Sequence, residues 1–568
     1  MFKRIIFLLT IFLALNAPAE SAKFIPTEPI MPASSLKPGM NGYMLTVLKG
    51  MEISRIPVKI VSVIPQKPSK IFRELILVKL IGKKLAQGMS GSPVYVQGKL
   101  IGAIRSGWQN SDQSLALVMP IESMCEIHDY DEIPAKELTL SPVTLSGLSV
   151  NTSAMRDLSR KLGVTFMQGS SAGNSDVTDS PRLRPGDSIS AMLIWGDVEL
   201  SAAGAVTAVD KFGRFLAFGH DFLKRGNVGY PSGGAYIHEI VDSSSFPIKL
   251  ASTQGINGTI TQDRENGIAG RFGYYAPSIA GEFVFRDLDR GTEDKYKFRT
   301  IADEFMTDEL IDGVCKGLAE ESWGRKGQGT MSINLRIDGR NVPNGWARKD
   351  IFYSDNNIID EAFKQVKIIT SAYLSQPFAQ IMPAGFRITA EVTQSPKVLL
   401  IEDVQTVTDA KPGESLDVTV TLRPWRTEPV TKKFTLKIPD DSSGVVELIV
   451  RGGGTQSLGQ AGIEGGWKSI TSLERMLTEF RAADSNNQLI IELNADRTGD
   501  LISKIKNARR KGAKSSKKKE DREPDLLPEE EEYLSETKER RIREGTLKIF
   551  SSDYYVDGLM RRVIHTEN

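Results

Sequence analysis

Cysteine and histidine are scarce in this sequence, with two of the first and four of the second among 568 residues. Cys125 and Cys315 lie far apart and in different kinds of segment, so two buried free thiols are expected in preference to a disulfide, and their separation offers no metal spacing. The four histidines, His128, His220, His238 and His565, are scattered, which argues against a zinc site. Neither a metal nor an organic cofactor is expected. An excess of one charge is absent too: the formal net charge is +1, so nothing global points to nucleic acid or an acidic surface as partner. Beyond the N-terminus, no apolar run reaches the roughly 18 residues that a membrane helix needs.

The N-terminus carries Lys3 and Arg4, an apolar run from Ile5 to Leu15, and Ala17 and Ala19 spaced as a cleavage site. This is the pattern of a secretory signal peptide over residues 1–21. It predicts an exported chain in the periplasm or cell envelope, or outside the cell, without a membrane span once processed. No cysteine near that site suggests a lipid anchor. Nothing in the sequence speaks to oligomeric state.

Period-two apolar runs broken by Gly and Pro dominate the chain beyond that segment, so the fold is expected to be mainly β. Residues 36–127 read as a small antiparallel barrel and 128–186 as a short helix followed by a linker. Residues 187–290 read as a second β-barrel, and 291–383 mix helical and strand patterns in an α+β segment. Residues 384–455 alternate like an immunoglobulin-like sandwich. A C-terminal α+β region, 456–568, contains a charged insertion at 504–544, basic from Lys504 to Lys519 and acidic from Glu520 to Glu536. Adjacent blocks of opposite sign predict a solvated, disordered segment.

The stretch "GMSGSPVYVQGKLIGAI", residues 88–104, is where chemistry is expected. Glycines at 88 and 91 allow a turn in which the amides of Gly88 and Ser90 point into one space and form an oxyanion hole. Ser90 would be the nucleophile, and a serine hydroxyl needs a base. Of the four histidines, His220 is best placed, because it ends the apolar run "RFLAFGH" just after a glycine. His128 stands in a polar exit from the first barrel, His238 among apolar neighbours, and His565 in a C-terminal strand.

The layout of turn, strand, turn and strand resembles the nucleophile loop of chymotrypsin-like serine proteases, with Met89 where their aspartate stands. More specifically, residues 88–104 resemble the nucleophile segment of the sporulation stage IV B protease family. "MLTVLKGMEISRIPVKIVSVI" (44–64), "AGAVTAVDKFGRFLAFGHDF" (203–222) and "NGTITQDRENGIAG" (257–270) are similar to that family's other segments. The resemblance covers about 36–127 and 187–275. It implies two chymotrypsin-like barrels and peptide-bond hydrolysis in a protein or peptide substrate, with Ser90 and His220 in Ser-then-His order, a permutation of the family's. The strand around Ile104 to Trp108 would offer an edge for substrate pairing. The family's orienting aspartate has no counterpart here. Glu74, Asp197 and Asp221 are substitutes, a Ser–His dyad oriented by a backbone carbonyl is another solution, and an inactive scaffold or binding protein of the same fold is a third. If the peptidase reading holds, the Ser90 hydroxyl should lie roughly 3 Å from the His220 ring, or somewhat further in a free enzyme.

Overall fold

The structure, a computed structural model, describes residues 23–67, 72–129, 142–169, 182–243, 245–340, 342–378, 383–455, 472–494 and 534–566. The segment expected to be a signal peptide, much of the expected linker (170–181) and most of the charged insertion lie outside the described residues. These fall into two compact units divided after Ser278, with 298–303 belonging to the first.

The first unit begins with a closed six-stranded barrel: β1 (Asn41–Val47), β2 (Ile53–Pro65), β3 (Glu74–Leu80), β4 (Pro93–Val96), β5 (Lys99–Ser106) and β6 (Leu115–Pro120). Strand β2 shows why these residues pair: Ile56, Val58 and Ile60 face the core while Arg55, Pro57 and Lys59 are exposed, the period of a sheet with one buried face. Around the ring the order is β1-β2-β3-β6-β5-β4.

Strands β7 (Pro142–Ser146) and β8 (Thr165–Gln168) come next, separated by a helix, Ser153–Leu162. The Thr152 hydroxyl accepts from Met155 N at the helix start, and Gly163 ends it in left-handed conformation, the two ends a helix needs. The segment expected to be helix and linker therefore also holds two strands. They pair in parallel, and β7 adds to the strand Glu199–Val209.

Then come β9 (Ser188–Gly196), β10 (Glu199–Val209), β11 (Arg214–Ala217), β12 (Gly226–Val241), β13 (Ile248–Arg264) and β14 (Gly267–Phe272). Their pairings also close, in the order β9-β10-β11-β14-β13-β12 and back to β9. Counted from its own first strand, each ring has the same connectivity. The second ring ends at Phe272, short of the expected 290. The next strand, Ser278–Asp287, pairs in parallel with Pro383–Thr393 instead.

In the second unit, Pro383–Thr393 also pairs with Gly329–Gly339, which pairs with Val342–Ser354. Helices Thr307–Trp323 and Ile358–Ser375 pack together here. A sandwich completes the unit, but its boundaries differ from the expected 384–455. One sheet joins Val430–Lys437, Ser415–Pro424, Val398–Gln405 and Tyr555–Asp557; the other joins Asp409–Ala410, Leu559–Thr566, Gly444–Gly452, Gln488–Asn494 and Leu547–Ser551. One core, with Leu416, Val418, Val446, Leu448, Ile491 and Ile564, lies between them. The C-terminal strands are needed because Gly444–Gly452 would otherwise have no neighbours in its sheet. Two pairings are parallel, a departure from an all-antiparallel sandwich.

The end of the charged insertion is helix rather than disordered chain, from Leu534 to Glu544. Lys538 is paired with the nearly buried Asp484, and Arg541 reaches Glu492 at 2.8 Å, so charges that the sequence leaves without partners find them across the fold. Arg348 is a buried cation of this unit. It meets Asp350 at 3.0 Å and donates to the carbonyls of Phe480, Ala483 and Asp484. Replacing it by Met strands a buried carboxylate, and Arg348→Met is expected to lower stability by about 3–5 kcal/mol. A urea midpoint unchanged from the wild type would rule that out.

Candidate active site

The turn bearing Ser90 sits between β3 and β4. Met89 N donates to Ala86 O (3.1 Å), Ser92 N to Met89 O (3.0 Å) and Gly91 N to Ile104 O (2.7 Å). Among the described residues, no acceptor within hydrogen-bond distance meets the amides of Gly88 and Ser90. Gly88 and Gly91 have φ of +87° and +85°, a region glycine enters without the strain a side chain brings. Met89 is buried in the core of the first barrel, so this turn is anchored by an apolar side chain. Ser90 itself is half-buried.

His220 stands in the corresponding place of the second ring, between β11 and β12. Phe218 and Gly219 turn the chain with φ of +65° and +66°. The two segments meet. Ala205 N donates to Ser90 O at 2.8 Å, and a Cβ on Gly91 would lie 2.3 Å from Phe218 N. A Cβ on Gly219 would lie 2.7 Å from Ile104 O.

The His220 ring is held by the main chain: Nδ1 lies 2.5 Å from the Asp221 carbonyl. A carbonyl only accepts, so Nδ1 carries the proton and Nε2 keeps its lone pair. Burial lowers the ring's pKa to about 4; the Asp221 carbonyl opposes this and the Arg105 guanidinium adds to it. The ring is therefore neutral at pH 7, as a general base requires. Among the described residues, no hydrogen bond joins the Ser90 hydroxyl to this ring.

The three carboxylates expected as orienting groups are placed differently. Glu74 opens β3 and lies near Glu122. Asp197 is exposed in the β9–β10 turn, its carbonyl against Gly147. Only Asp221 is beside the ring, and it is the Asp221 carbonyl that holds Nδ1. Burial raises the pKa of the Asp221 carboxyl, with Arg105 and Lys224 opposing.

Two further residues organise the site without having been singled out in the sequence. Asp263, fully buried near the end of β13, accepts from the amides of Phe222 (2.7 Å) and Leu223 (2.8 Å) and so fixes the turn after His220. Burial pushes its pKa up to about 6 against those donors. Arg105, at the end of β5, donates to Glu265 O (2.5 Å) and Gly219 O (3.4 Å), bridging the two barrels next to His220. A charged residue after the apolar run "LIGAI" was the available signal for Arg105.

His128 stacks on Phe24 (4.9 Å between centroids) with Nε2 3.3 Å from Phe215 O, and His238 lies 2.9 Å from the Ser252 hydroxyl. Both are held in their own surroundings, and His565 is exposed on the last strand. Cys125 and Cys315 are free thiols, and burial pushes the Cys125 pKa up to about 12. Among the described residues, no helix is long and apolar enough to cross a membrane.

No protein-family model matches this chain, and no curated protein matches it.

The electrostatics of His220 can be checked directly. Its imidazole is expected to remain the neutral Nδ1–H tautomer from pH 8 down to about 5 and to titrate near 4. Arg105→Gln removes a group that lowers this pKa, so the titration should move upward. NMR of the labelled ring would contradict this by showing a midpoint near the ordinary value of 6.5.

Proposed function

We propose that this chain is an exported serine endopeptidase of the sporulation stage IV B protease type, with its serine and histidine barrels in permuted order. The observation that carries the reading is the meeting of the two segments. The Gly88–Ser92 turn, with the Gly88 and Ser90 amides uncommitted, packs against the Ala217–His220 bend of a ring with the same strand order. Chain order does not matter to a catalytic set defined by geometry. The chymotrypsin-like assignment of both rings, the immunoglobulin-like character of the sandwich and the signal-peptide role of residues 1–21 belong to the same proposal.

In this mechanism the Ser90 hydroxyl attacks the scissile carbonyl while His220 Nε2 takes its proton. The oxyanion is met by Gly88 N and Ser90 N; each such donor is worth about 3–4 kcal/mol in comparable sites. The imidazolium is steadied by the Asp221 carbonyl on Nδ1, the dyad solution. Collapse breaks the C–N bond, and the leaving amine takes the proton from Nε2. Water, deprotonated by the same nitrogen, then releases the acyl group from Ser90.

One observation favours a second reading, a binding or scaffold protein with the same fold. The Ser90 hydroxyl and His220 ring are not hydrogen-bonded, and the ring has no carboxylate partner among the described residues. A fluorophosphonate probe separates the two. It should label the wild type at Ser90, and Ser90→Ala should abolish labelling. His220→Ala should slow peptide hydrolysis by roughly 10³-fold or more. A folded wild type that takes no label leaves the scaffold reading in place.

A further inference from the structure

Ile104 is bonded to the nucleophile turn on both sides, with Gly91 N donating to Ile104 O at 2.7 Å and Ile104 N to Ser92 O at 3.0 Å. From there Arg105, Ser106 and Gly107 leave Ser90 alongside the residues that precede it, Leu85 to Gln87. On the peptidase reading, a peptide with its carbonyl oxygen on the Gly88 and Ser90 amides would place its acyl-side side chain beside these two runs, and that is the side chain a serine peptidase's specificity pocket reads.

That space is filled. A Cβ on Gly107 would stand 2.6 Å from Leu85 Cδ2 and 3.4 Å from Phe246 Cζ. Leu85 is 2% and Phe246 8% exposed, and both belong to the core of the first barrel. Phe246, however, comes from the second barrel, on the chain between β12 and β13. Main-chain bonds hold it there: Gln87 N donates to Pro247 O (2.8 Å), Lys249 N to Gln87 O (3.0 Å) and Asn110 N to Ser245 O (3.1 Å). The plug is thus built from both barrels and tied to the nucleophile turn one residue before Gly88.

We infer that this pocket excludes large side chains and that the residue donating the scissile carbonyl is Gly, Ala or Ser; the inference rests on the peptidase reading. A bulky residue there must displace Leu85 or the Phe246 ring from a packed core, which interiors resist. The discrimination it implies is roughly tenfold or more.

The test uses the full-length chain and two peptidyl diphenyl phosphonates that differ only in the acyl-side residue, one an alanine and the other a phenylalanine analogue. The wild type should react with the alanine analogue at least ~10-fold faster. Phe246→Ala should narrow or reverse that ratio, with Leu85→Ala as the second variant if the first does not fold. A wild type that takes a small fluorophosphonate at Ser90 yet reacts equally fast or faster with the phenylalanine analogue overturns the pocket inference and leaves the peptidase reading standing. A wild type that reacts with none of the three probes overturns that reading and this inference with it.

Discussion

The carbonyl of Ala205 and the amide of Phe218 occupy the space where a Cβ on residue 91 would be, at 2.2 and 2.3 Å. Two barrels of identical connectivity meet at this point with backbone against backbone, because glycine alone permits the approach. The surrounding bonds depend on it: Ala205 N to Ser90 O, the Thr207 hydroxyl to Gly91 O, and Gly91 N to Ile104 O. With those carbonyls and amides paired across the seam, the turn leaves the amides of Gly88 and Ser90 uncommitted. The candidate oxyanion hole is in this sense a by-product of how the barrels are joined.

The same seam decides the state of His220. Its ring lies where burial and Arg105 both disfavour a positive charge, while the Asp221 carbonyl opposes them and chooses the tautomer. Asp263 contributes at one remove, holding the two amides that come after Asp221. A half-buried guanidinium thus lies near a neutral base, and a buried carboxylate fixes the turn that follows it. This differs from an arrangement in which a carboxylate binds the ring itself, and the proposed base is oriented by the main chain.

The second unit obeys another logic. Its sandwich is assembled from strands far apart in sequence, with Gly444–Gly452 between Gln488–Asn494 and Leu559–Thr566. Apolar side chains fill the space between the sheets, while Arg348, paired with Asp350 on its own strand, ties that strand to a loop at its border through the carbonyls of Phe480, Ala483 and Asp484. Such pairs cost desolvation and are retained where several carbonyls share the cation.

Local pattern was enough to read part of this protein from its sequence. Strict alternation in β2 and in Ser415–Pro424, apolar periodicity in the helices at 307–323 and 358–375, and a glycine-flanked serine turn are signals carried within a few residues. They determined a mainly β chain, the first barrel and the position of the turn bearing Ser90. What depends on partners distant in sequence was settled by tertiary structure alone. The sandwich took its missing strands from beyond residue 487, the helix at 534–544 found its counter-charges on Asp484 and Glu492, Asp197 was left exposed in a turn and Glu74 was set near Glu122. Asp263 and Arg105 joined the site through hydrogen bonds to backbone groups more than 35 residues away, and no local signal encodes a bond across that separation.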